Sequence, residues 1–290
     1  MTVTRQSPCK VNLLLNILGK RRDGFHELET VIQPVRWCDQ LEFERGGAGV
    51  QLTCTDPALP SDSANLVHRA ATLFLRATKI TEGVRIHLQK KIPLAAGLGG
   101  GSGNAANTLL GLNQLFDQPL SLGQVSGLAA ELGSDVPFFL QDNPALATGR
   151  GERIASLDHF AALEGVFAFL VYPGFGISTA WAYQALANYP GALNGRPGRA
   201  QKLIMLLRGA DLEVAGKEFY NALEAPVLDK YPLLALFQEF LRANGAAAAL
   251  LSGSGSTTVA LAKGQAPAEQ LREKFEAKFG EHYWTTIVPL

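Results

Sequence analysis

The stretch Lys91–Ala106, KIPLAAGLGGGSGNAA, constrains the fold of this chain more than any other. An apolar, strand-like approach enters a glycine-rich loop that runs straight into a helical pattern over Asn104–Phe116. Gly97, Gly99, Gly100, Gly101 and Gly103 let the backbone turn tightly and approach an anion with no Cβ in the way. The helix beyond them offers unpaired N–H groups and the positive end of its dipole. A ligand-free turn is the alternative, but so many glycines carry an entropic cost that a plain turn does not require. The pattern predicts a phosphate cradle, and with it a nucleotide.

Two common cradles are excluded by what surrounds the glycines. A Walker A loop needs Gly-Lys-Ser/Thr, whereas here Ser102-Gly103-Asn104 leads into the helix with no lysine inside the loop. Gly101, Gly103 and Ala106 fit G-x-G-x-x-A, and Asp117 stands at about the ribose-binding separation. That acid should end a second strand; Asp117 instead follows a helix directly and precedes Pro119.

The chain has 290 residues, enough for two domains with sizeable cores. Its 26 basic and 26 acidic residues balance, so bulk charge gives no case for nucleic acid or an anionic membrane as partner. Cys9, Cys38 and Cys54 are odd in number and widely spaced, with no metal-ligand grouping, which points to a reducing compartment. The apolar run Val11–Leu18 is too short to span a bilayer and is followed by Lys20-Arg21-Arg22-Asp23, so a cytoplasmic protein is expected.

Hydrophobic period alternates between two and 3.6, which predicts an α+β fold. Strands are expected around Val50–Cys54 and Val84–Leu88, and helices over Asn65–Leu75 and Leu122–Leu132. Ser121 with Gln124 makes a capping box, and Gly133 suits a left-handed helix end. A second domain is expected from residue 158, dividing the chain into 1–157 and 158–290. In it a strand at Val166–Tyr172 precedes helices at Thr179–Ala187, Ala200–Leu207 and Tyr231–Ala243. Strands Ala246–Leu251 and Thr257–Leu261 flank Ser252–Ser256, before a helix Pro267–Phe279 and a last strand Tyr283–Val288. Pro190–Arg199 reads as a flexible loop.

In the first apolar strand Lys10, Asn12 and Asn16 share a face with Leu14, either as a solvated sheet face or as a functional one. Asp135, in Gly133-Ser134-Asp135-Val136-Pro137, is a candidate general base; an N-cap on a following turn is the alternative. A lysine beside it would keep it ionised and offset charge on a transferring phosphoryl group. Asp23-Gly24-Phe25-His26 is a turn displaying an aromatic ring and an imidazole.

The order SPCKVNLLLNILGKRRDGFHELET, PLAAGLGGGSGNAA, LGSDVPFFL, LLSGSGSTTVAL resembles the GHMP small-molecule kinases nearly end to end. Within them it is most similar to the branch whose acceptor is a cytidine-diphosphate-linked methylerythritol of non-mevalonate isoprenoid synthesis. The resemblance implies an N-terminal ribosomal-protein-S5-like domain and a C-terminal ferredoxin-like domain. It implies ATP held by Pro93, Leu94, Ala95, Ala96, Gly97, Leu98, Gly99, Gly100, Gly101, Ser102, Gly103 and Asn104, with Mg²⁺ arriving on the phosphates. Lys10 and Asp135 are the implied catalytic pair, and Asn12, Phe25, His26 and Tyr183 the implied substrate residues. Phe25 would stack on cytosine, His26 would bond its edge, and Tyr183 would close the sandwich; core packing is the alternative for both aromatic rings, and a satisfied turn histidine the alternative for His26. Ser252–Ser256 would lie against the phosphate loop, unless it is only a hairpin turn. Relatives often carry Gly-Ser-Ser-Asn where this chain has Gly101-Ser102-Gly103-Asn104, so any phosphate or metal role of the second hydroxyl has no residue here. Other acceptors of the superfamily, such as mevalonate derivatives, homoserine or sugars, stay open, and so does a sensor without turnover. A sensor would be marked by loss of Lys10 or Asp135, and both are present.

Overall fold

The computed structural model describes residues 2–290. The chain packs as two compact units. One comprises the chain through Cys9, Trp37–Pro93 and Gly99–Asp142; the other comprises Lys10–Arg36, Leu94–Leu98 and Asn143–Leu290. Two long strands, β1 (Thr2–Lys20) and β2 (His26–Arg45), contribute residues to both.

In the first unit β3 (Val50–Cys54), helix α1 (Leu66–Thr78) and β4 (Val84–Gln89) form a βαβ element, with β3 and β4 parallel. β4 pairs antiparallel with Gln40–Arg45 of β2. Val84, Ile86 and Leu88 point inward while Arg85, His87 and Gln89 point to solvent, as the period of two predicts. Asn65 caps α1 by accepting the Val67 N–H at 2.9 Å. Helices α2 (Gly100–Leu115) and α3 (Leu122–Leu132) follow, then a 3-10 helix at Pro137–Leu140. α2 lies against the sheet so closely that a Cβ on Gly111 would stand 2.4 Å from the Phe43 ring.

Two expectations change here. Helix α2 starts at Gly100, four residues before the predicted Asn104, because left-handed Gly99 serves as its N-cap and accepts the Gly103 N–H at 2.8 Å. The Ser121–Gln124 capping box is formed, but Gly133 ends α3 with φ 168°, in extended and not left-handed backbone. A turn follows, closed by the Val136 N–H donating to the Gly133 carbonyl at 3.2 Å, and leads into Pro137.

The second unit continues with a hairpin of β5 (Ala145–Gly149) and β6 (Arg153–Ser156), joined by a tight turn at residues 150–152 and paired through β5 to Leu28–Ile32 of β2. Next come β7 (Val166–Tyr172), α4 (Thr179–Ala185) with a 3-10 turn at Leu186–Asn188, α5 (Pro190–Leu193), α6 (Arg199–Arg208) and α7 (Leu212–Gly216). β8 (Tyr220–Asn221) runs parallel to Leu14–Leu15 of β1 and is followed by α8 (Glu224–Lys230) and α9 (Pro232–Ala243). β9 (Ala248–Leu251), β10 (Thr258–Lys263), α10 (Gln265–Phe279) and β11 (Trp284–Pro289) complete the chain. The sheet order β11-β7-β10-β9, antiparallel throughout with helices inserted after β7 and after β10, is a ferredoxin-like βαββαβ arrangement. Phe237, Phe275, Phe279 and Tyr283 interlock edge to face in its core. The predicted loop Pro190–Arg199 is partly helical: Pro190 stands at N1 of α5, and buried Ala192 anchors that turn in the core.

Cys9 is buried, and Cys38 and Cys54 are half-buried. Among the described residues no helix is long and apolar enough to cross a membrane.

Candidate active site

The glycine segment is built by close packing of backbone. Gly97 has φ +79°, and a Cβ there would stand 2.1 Å from the Ser252 carbonyl oxygen and 2.8 Å from that of Gly255. The Ser252 hydroxyl donates to the Gly97 carbonyl at 3.0 Å, and the Thr257 N–H donates to the Ala96 carbonyl at 3.1 Å. Ser252–Ser256 is thus a hairpin connection strapped onto residues 96–97, as the resemblance implies. Asn221 holds it from behind, donating to the carbonyls of Leu251 and Gly253 at 2.9 and 2.7 Å.

Within the first unit Gly103 is a packing glycine: a Cβ would meet the Pro8 carbonyl oxygen at 2.8 Å and Ser7 Oγ at 3.1 Å. The position where relatives often carry a second hydroxyl faces the interior in this chain. Gly101 is its opposite, an exposed helical residue whose Cβ would meet only Leu66, at 3.5 Å. No side chain caps the start of α2, so its first N–H groups are not claimed by a capping side chain. Asn104 is buried, and its amide donates to Ser7 Oγ and to Asp39 Oδ2 at 2.9 Å each.

The polar face of β1 is no solvated surface. Lys10, Asn12 and Asn16 are 4, 3 and 0 % exposed, and Leu14 beside them is 0 %. Lys10 Nζ donates to Asn12 Oδ1 at 2.5 Å, Asn12 Nδ2 to Thr30 Oγ1 at 2.8 Å, and Thr30 Oγ1 to the Leu14 carbonyl at 2.5 Å. Its main chain is tied as well, the Lys10 N–H donating to the Leu98 carbonyl at 2.9 Å. A Cβ on Gly253 would lie 3.3 Å from Lys10 Nζ, so the 252–256 connection passes directly over the ammonium. The structure therefore gathers Lys10, Asn12, residues 96–98 and the Ser252–Ser256 connection in the second unit. Asn12 orients the cation and Thr30 orients Asn12; Thr30 is the one threonine of β2, and nothing beside it in the sequence marks its bond to a residue of β1.

Asp135 belongs to the first unit, exposed on the turn between α3 and the 3-10 helix. The N-cap of that helix is Val136, with no side-chain capping bond, so Asp135 does not serve as the cap. Its carboxylate is left available for other work.

The turn after β1 is held by charge. Arg21 pairs with Asp23 at 3.0 Å and with Glu27 at 2.6 Å. Arg21 holds the Asp23 carboxyl below its ordinary range, with the Phe25 N–H and Arg150 assisting against burial. Phe25 is 51 % exposed and carries the Arg150 guanidinium 4.6 Å from its ring centre. His26 and Tyr183 stand with ring centroids 5.1 Å apart at 34°. Burial, and secondarily the Lys20 charge, lowers the His26 pKa below 6.5. Tyr183 is also partly packed on the core. Arg150 escaped the sequence reading, since the turn Thr148–Glu152 signals only tight geometry. Glu152 is engaged in that turn itself, accepting the Arg150 N–H at 2.6 Å.

Residues 65–143 match the family GHMP kinases N terminal domain, and residues 192–282 match GHMP kinases C terminal. A 4-diphosphocytidyl-2-C-methyl-D-erythritol kinase of Synechococcus sp. is 40 % identical over 284 residues, covering 96 % of this chain and 91 % of the relative. A crystal structure of 4-(cytidine 5'-diphospho)-2C-methyl-D-erythritol kinase superposes with TM-score 0.79 at 34 % identity, over 99 % of both chains. Homoserine kinase from Cytophaga hutchinsonii superposes with TM-score 0.77 at 19 % identity, over 99 % of this chain and 93 % of that one, and shares the fold alone. Fold does not choose among the acceptors of this superfamily, but near-full-length identity does: the chain belongs to the GHMP kinases, in their 4-diphosphocytidyl-2-C-methyl-D-erythritol kinase family.

Proposed function

We infer that this chain transfers the γ-phosphoryl group of ATP to a hydroxyl of 4-diphosphocytidyl-2-C-methyl-D-erythritol, giving the 2-phosphate and ADP, in the methylerythritol phosphate route to isoprenoids. The observation that carries this reading is the 40 % identity across 96 % of the chain to a relative of that name. The pieces of the site support it. Pro93–Asn104 would bind ATP, its phosphates taking the open N–H groups at the start of α2. Asp135 would accept the proton of the acceptor hydroxyl, and Lys10, oriented by Asn12, would offset charge on the transferring group. Phe25 and Tyr183 would flank the cytosine, with neutral His26 at its edge and Asn12 on the acceptor side.

Mg²⁺ would enter with the phosphates, neutralising their charge; the Ser102 hydroxyl and the Asp135 carboxylate are oxygen donors of the kind it takes. The boundary at 157/158 is proposed between the two kinase domains, and the family matches at 65–143 and 192–282 lie on either side of it. We place the protein in the cytoplasm, with small molecules as ligands and neither nucleic acid nor membrane as partner, as a monomer or a homodimer.

ATP consumption measured against a panel of hydroxyl acceptors tests the assignment. The cytidine-diphosphate alcohol should be turned over well ahead of mevalonate, homoserine and sugars; equal rates on any of these overturn it. Asp135→Asn should lower kcat roughly 10²–10⁴-fold while ATP binding stays intact, the range for lost general acid–base assistance. Lys10→Met should also lower kcat, and the two losses should not multiply. A rate for Asp135→Asn within about threefold of wild type removes it from the role of base.

A further inference from the structure

In the first unit, beneath the start of α2, lies a buried charge cluster that phosphoryl transfer does not use directly. Asp39 is 0 % exposed and receives four donors. Its Oδ1 accepts the backbone N–H groups of Lys91 and Ile92 at 2.7 and 2.9 Å. Its Oδ2 accepts the Lys90 ammonium and, at 2.9 Å, the Asn104 amide. Lys90 Nζ also reaches Asn104 Oδ1 at 3.4 Å. Residues 90–92 enter the glycine segment and Asn104 leaves it, so one carboxylate grips both flanks. A Cβ on Gly100 would lie 3.4 Å from Lys90 Nζ, which puts the cation directly under the first residue of α2.

Stability alone is a poor account of such a cluster. Removing two charges from water is costly, and well-packed apolar residues of similar volume usually serve a core as well or better. What apolar residues cannot supply is a fixed acceptor for two N–H groups, a fixed partner for Asn104, and a positive charge adding to the helix dipole where an anion would bind. We propose that Asp39 is a positioning residue for ATP: it ties the two flanks of the glycine segment together and holds Lys90 beneath the phosphate-binding turn, so that the cradle is formed before the nucleotide arrives. Binding then avoids the cost of ordering that segment. The proposal rests on the reading of this segment as the ATP site.

Asp39→Asn keeps an acceptor for Lys91 and Ile92 but turns an NH₂ toward Lys90 and Asn104, setting donor against donor. ATP is titrated alone by calorimetry, so the result stands whichever alcohol is phosphorylated. The dissociation constant for ATP should rise roughly ten- to a hundredfold, the worth of a hydrogen bond to a charged group. That for 4-diphosphocytidyl-2-C-methyl-D-erythritol should stay within about twofold of wild type, because Asp39 touches none of the residues proposed to bind it.

The double variant Asp39→Asn/Lys90→Met removes the orphaned ammonium and keeps the test available if the single variant does not fold. Its melting temperature should return toward wild type while ATP binding remains weak. A folded double variant with wild-type affinity for ATP overturns the proposal, since Asp39 would then serve only to neutralise Lys90. Equal weakening of both ligands overturns it as well, because a general loss of structure does not discriminate between them.

Discussion

The glycine cradle and the aromatic turn after β1 are built by opposite means. At Gly97 the fold is backbone against backbone, with a carbonyl oxygen 2.1 Å from where a Cβ would stand. At Phe25 and His26 it is side chain against side chain: a guanidinium 4.6 Å from one ring, a tyrosine 5.1 Å from the other, and a half-exposed phenyl surface. Backbone geometry has no rotamers to absorb an added atom, so the cradle should respond to substitution in an all-or-none way. Side chains can shift, so the turn should respond by degrees.

Gly97→Ala is the most severe way to break this contrast. It combines left-handed strain of about 1–3 kcal/mol with overpacking of about 1–3 kcal/mol, so a loss of roughly 2–6 kcal/mol in denaturant unfolding is expected. A variant within about 1 kcal/mol of wild type would show that the strap of residues 252–257 yields, and that the cradle is softer than the packing indicates. Gly101→Val sharpens the same point. Gly101 is helical, outside the left-handed region, and its Cβ would make only an ordinary contact with Leu66 at 3.5 Å, so the variant should fold with little change in melting temperature. Its branched side chain would stand among the uncapped N–H groups at the start of α2 and weaken ATP by about 1–3 kcal/mol, with the cytidine substrate unaffected. One glycine should thus report on folding and the other on the ligand.

How much of this was legible in the sequence follows the same division. Alternation in β4 and the Ser121–Gln124 capping box are local, and the chain obeys both. The start of α2 was misplaced because it depends on the left-handed turn at Gly99 and on Gly103 lying against Pro8, a contact across distant parts of the sequence. The polar residues of β1 were visible as an anomaly, but the bond chain from Lys10 through Asn12 to Thr30 that makes them a buried site was not. Asp39 is one acid in an ordinary strand, and nothing beside it in the sequence announces four donors. Gly133 shows the reverse error, a local rule overridden: glycine permits the left-handed region without requiring it.

On the graded side of the comparison, Phe25→Ala should weaken the cytidine substrate toward the lower end of about 1–3 kcal/mol, the worth of one base–aromatic stack. The lower end is expected because the ring already shares its surface with Arg150. Phe25→Tyr keeps the π-face and should be close to neutral. ATP affinity should not move in either variant. If Phe25→Ala leaves the cytidine substrate unchanged but lowers stability, the ring is packing for Arg150 and the stacking role falls.

The smallest expected effect is a pH dependence, and it tests whether His26 works as a neutral ring. Burial and the Lys20 charge hold its pKa below the ordinary 6.5, so above that value the folded ring is uncharged and offers one donor and one acceptor. On acidification the unfolded chain takes up this proton first, near pH 6.5, and the folded protein only at lower pH. The contribution to stability is therefore complete above 6.5 and declines as pH falls through the lowered pKa; it is small, because the ring is partly solvated. Affinity for the cytidine substrate should follow the same course, flat above pH 6.5 and weaker only on the acid side. His26→Gln, which is uncharged at any pH, should remove the acid-side decline while the ATP titration is unaltered. Affinity that improves on acidification in wild type and loses that gain in His26→Gln would mean that the ring binds as a cation, and its assignment to the edge of a neutral cytosine would have to be abandoned.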